Sequence, residues 1–217
     1  HSGEKIIMNL NLEKAIQEAK NLYVGAKTVL EYKQAALKIK ILYEQFQESE
    51  EIAIQYLKVL RVLCWKEEYE CKETVKEIKR VYDNHLSSEK IAREYLTQLI
   101  NLCSKEKLES ILNEIAEEAK EVYNHHQNSK DVAIEYLKFL FQVSEKQVKE
   151  SAIRKIAAEA KTVYNLNQTS VNAAINYIKI YNSFIFLQIE AAEFFEIVME
   201  LKRVYNKHQS SEEILRK

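Results

Sequence analysis

Two stretches decide the fold: Ala119-Lys120-Glu121-Val122-Tyr123 and Ala160-Lys161-Thr162-Val163-Tyr164. The same phrase (a small or aliphatic residue, lysine, a variable residue, an aliphatic residue, tyrosine) ends at Tyr23, Tyr43, Tyr82 and Tyr205. From Tyr43 onward the positions of these tyrosines rise by 39 and then by 41 three times in succession (43, 82, 123, 164, 205). A second column, Tyr56, Tyr95, Tyr136 and Tyr177, stands thirteen residues after a first-column tyrosine each time, so ten of the thirteen tyrosines fall into two phased columns. Self-similarity at one fixed period is the signature of a repeat architecture.

Upstream of each phrase the apolar residues keep helical spacing. Ile153, Ile156, Ala157, Ala160, Val163 and Tyr164 make one buried stripe, which reads as the second helix of each unit. Six residues past each first-column tyrosine from Tyr43 on stands a serine: Ser49, Ser88, Ser129, Ser170 and Ser211. A serine hydroxyl can accept from the free N–H groups of a new helix, and Glu50, Glu89, Asp131 and Glu212 place negative charge in its positive first turn. The helix that follows carries its own stripe, as in Val132, Ala133, Tyr136, Leu137, Leu140 and Val143, before a polar turn such as Ser144-Glu145-Lys146.

Each unit therefore reads as a helical hairpin, and the chain as all-α: a right-handed α-solenoid of antiparallel hairpins, each stacked on the next because one hairpin cannot bury both of its stripes. The expected units are 44–82, 83–123, 124–164 and 165–205, with a partial unit at 206–217. Residues 4–43 form atypical capping helices, because Tyr23 and Tyr43 stand only about half a period apart. His1-Ser2-Gly3 looks like a cloning remnant, which leaves a removed signal peptide open. The Ser211 start signal leads us to expect that the array belongs to a longer chain.

Composition agrees. Average usage would give roughly 15 Gly and roughly 11 Pro at this length, whereas the chain has 2 Gly and no Pro. Turn-rich β folds and glycine-dependent nucleotide-binding α/β folds are excluded on that ground. With 32 basic against 33 acidic side chains there is no whole-molecule field to draw in nucleic acid or an anionic membrane. No stretch is long and apolar enough to span a bilayer. Three cysteines, Cys64, Cys71 and Cys103, are too few and too odd for a disulfide scaffold. They read as buried thiols in a reducing, cytoplasmic setting, Cys71 on an apolar stripe.

The hairpins resemble the tetratricopeptide class of α-solenoids, through a small residue followed at helical spacing by an aromatic, as in Ala119 with Tyr123 and Ala160 with Tyr164. That class has a period of about 34 and a characteristic Gly and Pro. Here the period is longer, as the step from Tyr123 to Tyr164 shows, and neither residue occupies its place. HEAT-type repeats, closer in period, are the alternative, though their proline is missing too. The resemblance implies a surface for a protein or peptide partner.

Catalytic and metal chemistry find no footing. His85, His126 and His208 share a column, but neighbouring units would hold them about a repeat apart, too far for one ion. Gly25-Ala26-Lys27-Thr28 lacks the paired glycine and preceding strand of a phosphate loop. We expect no catalytic residue, no cofactor and no metal.

The lysines Lys20, Lys40, Lys79, Lys120, Lys161 and Lys202 form a ladder, and Glu18, Glu77, Glu118, Glu159 and Glu200 form another two residues earlier, about 200° round the helix and so on a different face. The lysine ladder supplies one alternative function, a track for a nucleic-acid backbone. A second is a regulatory domain that senses a small ligand or peptide. The leading expectation is a non-catalytic scaffold whose first helices line a concave face. Its candidate partner-binding residues are the polar neighbours of the second tyrosine column: Gln55 and Lys58, Glu94 and Thr97, Glu135 and Lys138, Asn176 and Lys179.

Overall fold

A computed structural model describes residues 2–66, 71–105, 109–147, 149–183 and 190–210. Among these the secondary structure is helical: α1 (Ser2–Gly25), α2 (Val29–Gln45), α3 (Glu50–Lys66), α4 (Cys71–Asp83), α5 (Glu89–Lys105), α6 (Glu109–His125), α7 (Lys130–Ser144), α8 (Glu150–Leu166), α9 (Val171–Asn182) and α10 (Ala191–Lys207). The all-α class read from the tyrosine phase is the fold of the chain. Ser211, Glu212 and most of the partial unit lie outside the described residues, as do His1 and the side chain of Cys71.

The serine start signals act as read. Ser49, Ser88, Ser129 and Ser170 each accept from the backbone N–H three residues on, at 3.2–3.3 Å. The turns before them are built alike. The N–H of the residue three past each tyrosine (Phe46, His85, His126, Asn167) bonds back to the tyrosine carbonyl, and the serine N–H bonds to that residue's own carbonyl at 2.8–2.9 Å. Among the described residues no backbone φ is positive. Such a turn has no use for glycine, which is why two suffice for the chain.

Contacts divide the chain into two compact units, residues 1–98 and 99–217. In the first, α1 packs on α2 and α3, α2 on α3, and α3 on α4. The phrase ending at Tyr23 lies in α1, the first helix of an opening hairpin, whereas the later phrases lie in second helices. Gly25–Thr28 is the turn of that hairpin. Thr28 caps α2, accepting from the Glu31 N–H at 3.2 Å while the Glu31 carboxylate accepts from the Thr28 N–H at 2.8 Å, a reciprocal capping box.

In the second unit α7 packs on α6, α8 and α9, α9 on α8 and α10. Both units have the same core. Tyr82 stacks on Tyr95 at 4.9 Å between ring centroids, Tyr123 on Tyr136 at 4.7 Å and Tyr164 on Tyr177 at 4.8 Å; Tyr43 and Tyr56 meet at a tilt at 5.7 Å. All eight rings are buried. Small residues beside them, Ala53, Ala92, Ala133 and Ala173, are buried too and let the helices approach. Cys64, expected as a thiol, is disulfide-bonded, whereas Cys103 is a buried free thiol. Among the described residues no helix is long and apolar enough to cross a membrane.

Candidate partner-binding face and the ladders beneath it

The second-column tyrosines tie the first helix of a hairpin to its own second helix through their hydroxyls. Tyr56 donates to Glu77 at 2.8 Å, Tyr136 to Glu159 at 2.6 Å and Tyr177 to Glu200 at 2.8 Å. Burial together with these acceptors pushes all three phenols well above their ordinary value. Glu77 also takes a two-pronged bond from Arg80, at 2.9 Å from Nε and 2.8 Å from Nη2, and Glu200 takes the same from Arg203. Those guanidinium groups, with the tyrosine hydroxyls, hold both carboxyls down at about 2.

The lysine ladder meets the same carboxylates. Lys40 reaches Glu77 at 3.4 Å, Lys120 reaches Glu159 at 3.4 Å and Lys161 reaches Glu200 at 3.7 Å. The angular offset holds within one helix, but each lysine leans to the glutamate of the next second helix. These lysines are half-exposed, so the individual pairs contribute little energy. They do neutralise the track that a phosphate backbone would need.

The histidine column belongs to the turns. The His85 ring lies 6.0 Å from Tyr43, and His208 Nε2 is 3.2 Å from the Tyr164 hydroxyl. Burial lowers the pKa of both. Among the described residues no group of three or more His, Cys, Asp or Glu side chains could hold a metal ion.

On the first helices, the candidate positions split by depth. In the first unit Gln55 is buried, while Lys58, Glu94 and Thr97 are half-buried. Glu94 is bridged at 3.1 Å by Arg61, one turn beyond Lys58, and the Thr97 hydroxyl donates to the Arg93 carbonyl at 2.9 Å. In the second unit Glu135 and Asn176 are buried. Glu135 accepts from Lys138 at 2.7 Å, and the Asn176 amide donates to the Asn172 carbonyl at 2.8 Å. Lys138 is exposed, and the Lys179 ammonium sits 5.7 Å over the Phe141 ring. Residues open to a partner are therefore chiefly Lys58, Thr97, Lys138 and Lys179. Sequence reasoning missed Arg61 and Phe141, which share a place five residues past the second-column tyrosine, a signal that was readable in the phase.

On the second-helix side of the second unit, grooves separate neighbouring helices. One, between α6 and α8, is lined by Ala116, Lys120, Ile156 and Glu159 over Tyr136 and Phe139. Another, between α8 and α10, is lined by Arg154, Ala158, Lys161, Glu193, Glu196 and Glu200. Arg154 bridges the second by pairing with Glu193.

Tandem hairpins joined by repeated ladders define the chain as a helical repeat protein. No protein-family model matches it, and no curated protein does. A solved structure similar to it is a de novo designed helical repeat protein: the match covers 95% of this chain and 87% of that one at 17% identity, with a TM-score of 0.26, too low to carry an argument.

Proposed function

We propose that the chain is a non-catalytic scaffold that binds a protein or peptide through its first helices, in the manner of tetratricopeptide-like arrays. One observation carries this reading. The repeated tyrosine, glutamate and lysine spend their polar groups on one another, the tyrosine within a hairpin and the lysine between hairpins. On the first helices another column, Lys58, Thr97, Lys138 and Lys179, leaves its side chains at least partly open to solvent, and three of the four are lysine. A partly open cationic position repeated on successive first helices is a surface that an extended polypeptide can follow. The cations among these four favour a partner segment carrying carboxylates.

The test is selection of binders from a displayed random-peptide library, followed by titration of the selected peptides by fluorescence polarisation. With Lys138→Glu and Lys179→Glu combined, affinity is expected to fall at least tenfold with no change in helical circular dichroism. Peptides that bind the doubly substituted chain equally well would move the site off the first helices. A hydrolytic or group-transfer activity lost on substituting any of these residues would overturn the non-catalytic reading.

A further inference from the structure

The outward side of α10 differs from that of the second helices before it. Aligned on the closing tyrosine, Phe195 stands where α6 and α8 have Asn113 and Arg154, and Met199 where they have Glu117 and Ala158. Those four positions are solvent-exposed, and so are Phe195 at 64% and Met199 at 48%. Phe194, Val198 and Tyr205 flank them and are exposed as well. On a helix of 3.6 residues per turn, Phe195, Val198, Met199 and Lys202 fall within about a third of a turn of one another. Side chains of this kind present about 150–250 Å² when fully open, so the exposed fractions amount to roughly 400 Å² of apolar surface. That equals the largest apolar patch of a typical monomer, a patch that is often functional.

We infer that this face pairs with the same face of a second copy of the chain, the two α10 helices running antiparallel about a two-fold axis at Met199. Charge selects the occupant. Glu196 and Lys202 are exposed and make no ion pair among the described residues, and they stand three residues to either side of Met199. A two-fold axis at Met199 brings each Glu196 opposite the partner copy's Lys202, giving two symmetric pairs that bracket the apolar centre. A parallel arrangement would set like charge against like. The two patches together with their polar rims reach the roughly 1,000 Å² that a specific interface needs.

The test is sedimentation velocity on the whole chain at concentrations up to about 100 μM, which reveals any Kd tighter than that. A species of twice the 25.5 kDa chain mass is expected. Met199→Glu, which sets two carboxylates against each other on the axis, abolishes it. Glu196→Lys and Lys202→Glu each weaken it at least tenfold, and the two combined restore it. All three positions are exposed, and circular dichroism checks that the helices persist. A chain that stays monomeric throughout overturns the proposal and leaves the face to another occupant. So does a dimer that survives Met199→Glu but dissolves on Leu37→Glu, a substitution on the exposed stripe of α2.

Discussion

Replacing Gln98 with methionine should make the protein more stable, and the size of the gain follows from its surroundings. Gln98 is 1% exposed, and neither its amide oxygen nor its amide nitrogen has a hydrogen-bond partner among the described residues. The same column, three residues past the second tyrosine, holds Val59, Phe139 and Ile180 in the other hairpins, all fully buried. A buried amide that finds no partner costs about 1–3 kcal/mol by mutational measures. Methionine has nearly the same length and the same helix propensity, so removing the amide adds little strain. A gain of about 2 kcal/mol corresponds to a rise of roughly 4–8 °C in Tm for a chain of this size. Differential scanning calorimetry, with urea titration as a second probe, reads it directly. An unchanged or lowered Tm would mean that the amide is satisfied by a bound water or ligand, and the reasoning would fail.

Acid should unfold the chain in two overlapping steps. Below about pH 6.5 the unfolded chain protonates histidines that burial keeps neutral at His85 and His208, so stability starts to fall there. Glu77 and Glu200 titrate near 2 when folded against 4.5 when free, so their contribution is whole above about pH 4.5 and drains away from there down to about 2. Urea midpoints measured from pH 7 to pH 3 should decline throughout; a flat profile between 4.5 and 3 would contradict the ladder. The stacked pair Tyr123 and Tyr136 offers an internal control. Tyr136→Phe leaves Glu159 with Lys120 alone and should cost about 1–2 kcal/mol, whereas Tyr123, whose hydroxyl finds no hydrogen-bond partner among the described residues, should tolerate phenylalanine without loss. Equal effects in chemical denaturation would refute that difference. Cys103, buried and with its thiol pushed up to about 11, should not react with a disulfide reagent at pH 8 until the chain unfolds; labelling at the rate of a free thiol would show that α5 opens readily.

The period of the tyrosines was enough to read the hairpins and their serine caps, because a column that recurs at a fixed step is legible without any partner in view. What the period could not show was contact between columns. The lysines and glutamates look divergent on one helix and meet only when a second helix is set beside it, as Lys120 meets Glu159. Depth was equally hidden. Gln55, Glu135 and Asn176 look like surface on polarity alone, yet the width of the neighbouring first helices covers them. The familiar phrase at Tyr23 sits in a first helix, where the repeat elsewhere does not use it, which is why its step to Tyr43 is half a period. Gln98 was invisible for the opposite reason: its column is apolar everywhere else.

Because one glutamate takes its own hairpin's tyrosine hydroxyl and the preceding hairpin's lysine, the clasp within a unit and the joint between units share a carboxylate, in the way of couplings on railway carriages. Any such hairpin can follow any other. An array assembled from these parts can be lengthened or shortened by whole repeats without designing a new joint. The recognition residues ride on the outside of the carriage, free to change while the coupling stays the same.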